Sequence, residues 1–504
     1  MPTVIIPKFD GGQAEDIRTT SQYQNELSKN FDIFSEPYRL NPYGDSIADT
    51  ADVAMNDSQI SDVGICTISG TDYIVGVGYE SSSSQLTTFY TKTSVTGQFT
   101  KQATSAAGTS FVKGSGMTYK GLAYAVGDSG SGSYSVYRFN SAGSVTTVGT
   151  ITATSGKPVK LFVHPEDNVL YIVVSNVISK WDNSSFTNYT SILPLNYSAT
   201  SLTNYGGYLA ITMNSDQNAN KPTCFLWGRD GTLNTLQGII PLGEGYVGIV
   251  ENLDNNLIFI MSTFIGFAST NSYKCMIKAY SGGAVETLKE IQTTSLNGLV
   301  TTYKAKKNGR VYFGFANSDC IWTFGKNKDG RYTITQDRYA INGVQISSQP
   351  SMGTLYGISV IGDIIWVGQT STTGTKTLYR SGIVSGEGLV YTATSTFRTT
   401  INSGMPVDDR GKKKKLKSVK IYYTGVTSGT IGVKYLIDGK NSSNTTTFES
   451  IISESTTAIE DYTNATQLAD NQAFADGIEF QFEITSVGGV KPKSLVYEYD
   501  VLND

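Results

Sequence analysis

A set of short apolar strands recurs seven times between residues 63 and 380. Each copy has two apolar strands close together, then a third strand and a polar loop. Equivalent residues of the middle strands lie 51, 47, 38, 49, 54 and 53 residues apart; they are Tyr73, Tyr124, Tyr171, Leu209, Ile258, Tyr312 and Ile365. A period near 50 residues with three or four strands per copy is typical of a β-propeller. The sequence therefore predicts seven blades, although the 38-residue gap leaves six or eight open.

The composition also indicates an all-β chain. Charged residues make up 16% of the 504 residues, against about 25% in a typical soluble domain, whereas glycine (52) and tyrosine (31) are abundant. Glycine suits tight turns, and tyrosine suits pleated surfaces. The net charge is only −4, which argues against a reader of nucleic-acid sequence. No apolar run approaches the roughly 20 residues that span a bilayer, so we expect no membrane span.

The chain is predicted to have three regions. Residues 1–50 are polar with spaced apolar side chains and predict an extended docking arm, which packs on its own propeller or on a neighbouring subunit. Residues 51–385 form the propeller. Residues 386–504 contain longer strands, such as 478–484 with alternating apolar side chains, and predict an antiparallel β-sandwich. Within that region, the acidic and Thr/Asn-rich stretch 453–476 is predicted to be a long loop or an excursion over the surface.

Residues for single-site chemistry are scarce. His164 is the only histidine, which excludes a multi-histidine metal site, and its place in a turn between strands favours a structural role. Carboxylates are numerous, but no spacing singles out a catalytic pair. We therefore expect no catalytic residue, no cofactor and no metal, and we predict that the chain is not an enzyme. Four dispersed cysteines are predicted to be buried free thiols: Cys66, Cys224, Cys275 and Cys320.

Two segments are candidate interfaces. The candidate residues are Phe31, Phe34 and Tyr38 in the arm, and Lys412, Lys413, Lys414 and Lys415 in the only strong charge run. The lysine run either contacts DNA or an acidic partner, or forms a solvated turn before a strand, which we favour. The arm is expected to be ordered only in an assembled particle, because its apolar residues have no obvious partners. Deleting residues 2–45 should then leave a folded β-protein.

Three segments resemble parts of tailed-bacteriophage virion proteins. They are residues 34–42 in the arm, the basic strand entry at 397–423, and the terminal strands at 478–499. The whole plan is similar to β-propeller tail nozzle or hub proteins of short-tailed phages. That resemblance implies a non-enzymatic subunit of a homo-oligomeric ring in the virion tail, made in the host cytoplasm. It also implies contact with tail adaptor, portal or fibre proteins and non-specific contact with passing DNA.

Two other functions stay open. A receptor- or glycan-binding tail propeller would use exposed aromatic side chains. A polysaccharide-degrading propeller would need carboxylates clustered at the mouth of the central channel, and the sequence does not identify them.

Overall fold

The chain is described here from a computed structural model. The residues that the structure describes are 2–7, 25–29, 31–34, 40–42, 46–48, 58–80, 85–105, 109–190, 192–216, 221–228, 236–264, 273–291, 299–316, 320–327, 329–339, 355–362, 364–370, 376–381, 383–384, 388–389, 394–468 and 476–502. They divide into a propeller unit, formed by residues 47–319 and 349–381, and a sandwich unit, formed by residues 1–46, 320–348 and 382–504. Strands dominate both units, which confirms the all-β prediction.

Short strands precede the repeats: β1 (Thr3–Ile6), β2 (Asn25–Lys29), β3 (Phe31–Asp32), β4 (Asn41–Pro42) and β5 (Ser46–Ala48). The first three blades comprise β6 (Ser58–Ile68), β7 (Thr71–Glu80), β8 (Thr87–Lys92) and β9 (Thr100–Thr104); β10 (Ser110–Phe111), β11 (Met117–Tyr119), β12 (Leu122–Asp128), β13 (Ser133–Phe139) and β14 (Val145–Thr152); and β15 (Val159–His164), β16 (Val169–Val174), β17 (Val177–Trp181) and β18 (Phe186–Tyr189). Each of these blades is an antiparallel sheet, and in the second blade β10 and β11 both pair with β12.

The later repeats follow the same plan. They comprise β19 (Tyr197–Tyr205), β20 (Tyr208–Ser215), β21 (Thr223–Gly228) and β22 (Leu236–Pro241); β23 (Tyr246–Leu253), β24 (Asn256–Phe264), β25 (Tyr273–Tyr280) and β26 (Val285–Ile291); β27 (Val300–Lys307), β28 (Arg310–Phe315), β29 (Cys320–Lys326) and β30 (Tyr332–Tyr339); and β31 (Leu355–Ile361), β32 (Ile364–Thr370) and β33 (Lys376–Ser381). Strand β5, of which Ile47 and Ala48 belong to the propeller unit, lies beside β33 as the fourth strand of the last blade. The unit boundary leaves β27 and β28 in the propeller unit and assigns β29 and β30 to the sandwich unit.

The inner strands of the repeats form a closed ring. Strands β6, β11, β15, β19, β23, β27 and β31 each contact the next one in order, and β31 contacts β6. This arrangement confirms the seven-bladed propeller. The middle strands used to align the sequence repeats are almost entirely buried, as β16 shows with all six of its residues inside the core. Their apolar side chains fill the space between neighbouring blades, as in the shared core of the second and third blades.

Irregularities in the inner strands bring neighbouring blades close together. The pairing register of the inner strand shifts in five blades, between Ile60 and Asp62 in the first and at equivalent places in β19, β23, β27 and β31. At two of these places a glycine meets the next blade's backbone. A Cβ on Gly357 would lie 1.8 Å from the Ser61 carbonyl oxygen, and one on Gly248 would lie 2.6 Å from that of Thr301. Bulges of this kind redirect side chains, and here they lie on the strands that line the channel.

The sandwich unit contains two larger sheets around one core, and the strand pairs β3-β4 and β34-β35 belong to the same unit. Its further elements are β34 (Ile383–Val384), β35 (Gly388–Leu389), β36 (Ser395–Thr399), a 3-10 turn at Val407–Asp409, β37 (Lys414–Thr424), β38 (Gly429–Ile437), β39 (Glu449–Thr456), β40 (Asp461–Gln467), β41 (Asp476–Gly477), β42 (Phe480–Val487) and β43 (Lys491–Val501). One sheet has the order β1-β43-β37-β40, and the other runs β30-β2-β36-β42-β38-β39. The predicted loop at 453–476 was wrong in part, because β39 extends into it and β40 lies within it. Strand β40 alternates between exposed and half-buried residues at the edge of its sheet, so its sequence is polar.

The predicted docking arm contributes to this sandwich. Strand β1 pairs with β43, and β2 pairs with β36. Phe31 and Phe34 are 0% and 2% exposed, and they belong to the same core as strands β37 to β43. They are therefore unavailable as interface residues, and the expectation that the arm lacks partners within the chain is corrected. Tyr38 lies outside the described residues.

Replacing Phe31 by alanine should destabilise the protein by about 3–5 kcal/mol, because it removes a fully buried aromatic ring from the sandwich core. Chemical denaturation of the full chain measures this loss. The matched control is Ile5→Ala, since Ile5 lies on β1 with 57% of its surface exposed, and its effect should stay within about 0.5 kcal/mol. Equal effects of the two substitutions would contradict the integration of the arm into the core.

Candidate functional site

A cavity of about 380 Å³ lies among the inner strands of the propeller unit. Side chains and backbone from five blades line it, and the polar or aromatic ones include Asp62, Phe162, Lys304, Lys306 and Ser359. Consecutive residues of single inner strands line the cavity, such as 62–64, 116–118 and 304–306, so these strands present an edge to the channel. The cavity is thus the place where side chains from separate blades converge.

Asp62 lies next to the irregular position of β6 and reaches into the cavity. Its Oδ2 accepts hydrogen bonds from the Ser61 hydroxyl and, at 3.1 Å, from the Gly116 amide of the second blade. Burial raises the pKa of Asp62 to about 6, although these hydrogen bonds and the nearby Lys160 favour the ionised form. Asp62 therefore changes its protonation state close to neutral pH, unlike an ordinary surface carboxyl.

Lys160 crosses the channel. It lies on β15, two residues before the cavity-lining Phe162, and its Nζ donates a hydrogen bond of 2.8 Å to Thr302 Oγ1 on β27. The third blade is thereby joined to the sixth. The ammonium also lies 5.5 Å from the centre of the Tyr303 ring. Burial lowers the pKa of Lys160 to about 8, and the attraction of Asp62 limits this shift.

A second buried group joins three blades. Lys304 Nζ donates to the carbonyl oxygens of Leu202 (2.8 Å) and Val250 (2.5 Å) and pairs with Glu251 Oε2 at 2.6 Å. Lys306 pairs with the other carboxylate oxygen of Glu251 at 3.3 Å. Burial alone would raise the pKa of Glu251, but the two lysines outweigh it and hold the pKa below the ordinary value. The carboxylate is therefore kept ionised inside the channel.

Exposure increases toward one end of the channel. The side chain of Glu251 is 7% exposed, that of Lys304 18%, and that of Lys306 43%. Lys306 lies near the turn that joins β27 to β28. At this turn Lys307, the last residue of β27, is opposite Arg310 in the strand register. Among these three side chains, that of Lys306 is therefore the most accessible to a ligand.

The structure does not bring the four predicted interface lysines together as one charged surface. Lys412 and Lys413 are exposed, and Lys412 Nζ pairs with Asp409 at 3.0 Å. Lys414 is buried, and its ammonium donates to the carbonyl oxygens of Asp409 and Lys412, both at 2.7 Å. Lys414 thus stabilises the turn before β37, and its prediction as an interface residue is corrected. Lys415 is half-buried.

A cavity of about 450 Å³ lies beside this turn in the sandwich unit, lined partly by Lys412, Lys413, Asp438 and Asp476. Asp438 Oδ1 already accepts the amides of Ile478 and Glu479. Asp476 Oδ1 is buried and has no hydrogen-bond partner among the described residues.

His164 is fully buried and lies between the rings of Phe162 and Tyr171, with centroid distances of 6.0 and 6.2 Å. Its Nδ1 lies 3.3 Å from the Glu166 amide, and its Nε2 lies 3.3 Å from the Tyr208 carbonyl oxygen. These contacts fit the structural role expected from the sequence.

Cys66, Cys224 and Cys275 are buried free thiols. The side chain of Cys320 is not among those that the structure describes.

Within the described residues, no group of three or more histidine, cysteine or acidic side chains is placed to hold a metal ion. Over the same part of the chain, no helix has the length and apolarity to cross a membrane.

Sequence reasoning missed the channel residues. Lys160 and Glu251 each stand within an otherwise apolar or neutral inner strand, and Lys304 shares β27 with Lys306 and Lys307. A charged residue in the inner strand of a propeller repeat lies close to the channel. This pattern in the sequence could have identified the channel residues.

No family model and no curated protein matches this chain. Among solved structures it is similar to an exo-β-1,3-galactanase from Phanerochaete chrysosporium with β-1,3-galactotriose. That match has 12% identity and a TM-score of 0.31, and it covers 90% of this chain and all of the other. A second variant of the same enzyme gives a TM-score of 0.30. The chain is also similar to Raptor from Chaetomium thermophilum, with 12% identity, a TM-score of 0.39 and coverage of 70% of this chain and 29% of that one.

These matches correct one prediction. The sequence predicted a chain that is not an enzyme, but two of the matched solved structures are those of a galactanase with a trisaccharide. The prediction of a non-enzymatic chain is therefore withdrawn as wrong. At TM-scores near 0.3 the likeness assigns no reaction to this chain.

Asp62→Asn should stabilise the protein at pH 7 but not at pH 4. A carboxyl whose pKa rises from 3.8 to about 6 on folding binds more protons in the folded state, so the stability of the native chain falls as pH rises through this window. Above pH 6 the ionised Asp62 should lower the free energy of unfolding by roughly 2–3 kcal/mol. Urea denaturation at several pH values measures it.

The control is Asp182→Asn. Hydrogen bonds from Ser184 and Ser185 lower the pKa of Asp182, so its stabilising contribution is lost as pH falls. The two substitutions should therefore change stability with opposite pH dependence. An effect of Asp62→Asn that is the same at pH 4 and pH 7 would contradict the assigned environment of Asp62.

Proposed function

We propose that the propeller binds a glycan in its channel cavity, as a receptor- or glycan-binding component of a phage tail. The observation that carries the binding proposal is the convergence of polar and aromatic groups from five blades on one cavity of about 380 Å³. This volume lies in the range of small-molecule sites, which are concave and combine apolar surface with a few placed polar groups.

The chemistry of the lining suits a sugar. Asp62 accepts hydrogen bonds, Lys306 donates them, and the hydroxyls of Thr118 and Ser359 do both. Sugar hydroxyls likewise donate and accept. Phe162 supplies an aromatic surface for the apolar face of a sugar ring. A purely apolar ligand would remove water from these polar groups without offering new hydrogen bonds, which costs free energy.

Binding is tested with the full chain on a glycan array, followed by titration of the glycans that bind. Phe162→Ala should weaken binding by about tenfold or more, equivalent to about 1.4 kcal/mol, because it removes the aromatic surface of the cavity. The matched control is Tyr208→Ala, since Tyr208 is an exposed aromatic residue of the same unit outside the cavity lining, and it should change affinity less than twofold. Thermal unfolding verifies that both variants are folded.

Loss of binding in both variants, or in neither, would contradict a site in the channel. Chromatography of the glycan after incubation separates binding from cleavage. If products form and Asp62→Asn prevents their formation while binding persists, the site is catalytic. One observation favours this second function: Asp62 lies in the cavity lining and burial raises its pKa, as in the general acids of glycan-cleaving enzymes.

The proposed location rests on the resemblance of residues 34–42, 397–423 and 478–499 to virion proteins of tailed phages. The proposed partners are further copies of the chain in a ring and the adaptor, portal or fibre proteins of the tail. Mass spectrometry of purified particles tests this location. We expect the chain in intact virions; its presence in lysates of infected cells but not in particles would overturn the location and leave the glycan site untouched.

A further inference from the structure

The charges in the channel are not balanced. Along the described inner strands, three lysines reach the channel or its network, Lys160, Lys304 and Lys306, against two carboxylates, Asp62 and Glu251. One positive charge is therefore in excess. Lys307, the last residue of β27, does not line the cavity and is left out of this count.

The carboxylate of Glu251 is already paired with groups of its own chain. Its two carboxylate oxygens pair with Lys304 and Lys306, and the Thr203 hydroxyl donates to Oε1 at 3.1 Å. Lys304 is also satisfied, since two carbonyl oxygens and Glu251 accept its three donors. These groups hold the blades together and leave little capacity for a ligand.

Lys160 and Lys306 have capacity left. Lys160 is 7% exposed, and among the described residues Thr302 is the hydrogen-bond acceptor of its ammonium, which has three donors. Lys306 donates to the Asn252 carbonyl oxygen and pairs with Glu251, while 43% of its side chain remains accessible. Burial lowers the pKa of Lys160 only to about 8, so it is still largely protonated at pH 7.

We propose that the ligand of the channel cavity is an acidic glycan, whose sugar carboxylate is bound by Lys306 and attracted by Lys160. This inference rests on the proposed glycan-binding function and specifies its substrate class. A carboxylate supplies the negative charge that the channel lacks and accepts hydrogen bonds from ammonium groups, and charge-assisted bonds of this kind are stronger than neutral ones. The neutral equivalent of the sugar offers no negative charge to balance the excess positive charge.

The test compares two oligosaccharides that differ only in oxidation at C6, an oligogalactose and an oligogalacturonate, by titration calorimetry with the full chain. The acidic form should bind about tenfold tighter or more at low salt, and its advantage should shrink as sodium chloride is raised. Lys306→Gln should lower affinity for the acidic form several-fold and leave that for the neutral form nearly unchanged. The control, Lys221→Gln, replaces an exposed lysine outside the cavity lining and should change neither.

Asp62→Asn gives an independent test, because removal of a negative charge from the cavity should strengthen binding of the acidic form. This variant does not depend on a substitution that removes a lysine. Equal affinity for the two sugars, with no effect of Lys306→Gln, would overturn the acidic-glycan inference and leave the proposed glycan function standing. Failure of both sugars and of every glycan on the array to bind would overturn the proposed function itself.

Discussion

The ammonium of Lys304 joins the sixth blade to the fourth and fifth from inside the channel. Burying a charge without partners costs several kcal/mol, and Lys304 avoids this cost through two carbonyl oxygens and the carboxylate of Glu251. Lys160 makes a similar connection from the third blade to Thr302 of the sixth. The apolar cores between blades stabilise the ring as a whole, but these polar links determine which groups face the channel and which of them are already satisfied.

The same network explains why the remaining groups suit a ligand. The hydrogen-bonding groups of Lys304 and Glu251 are already paired within the fold. Asp62 and Lys306, by contrast, line the cavity and can form further hydrogen bonds with a ligand. The burial of Asp62 in this position also raises its pKa. A site of this kind has a clear chemical preference, since its polar groups are few and their charges are known. The solved structures that the chain matches do not decide the ligand, so the proposals depend on the channel itself and, for the virion, on the sequence resemblance.

Much of the architecture could be predicted because it depends on periodicity. The middle strands, such as residues 170–174, are apolar on both faces and recur near every 50 residues, which specifies blades. The arm could not be placed in this way. Spaced residues such as Phe31 and Phe34 show that a segment packs against something, but only the fold shows that this is the sandwich core. Lys414 was misjudged for a related reason: a run of four lysines suggests a charged surface, whereas strand alternation buries one of them.

Hydrogen exchange measured by mass spectrometry, with and without a bound glycan, tests the central claim most directly. A ligand in the channel cavity lies against the inner strands, so binding should slow exchange in residues 62–64, 116–118, 162–163, 304–306 and 358–360. Exchange in the outer strands β18 and β22 and in the sandwich strands β37 and β43 should not change. Protection confined to the sandwich unit or to the outer strands, with the inner strands unaffected, would contradict a binding site in the channel.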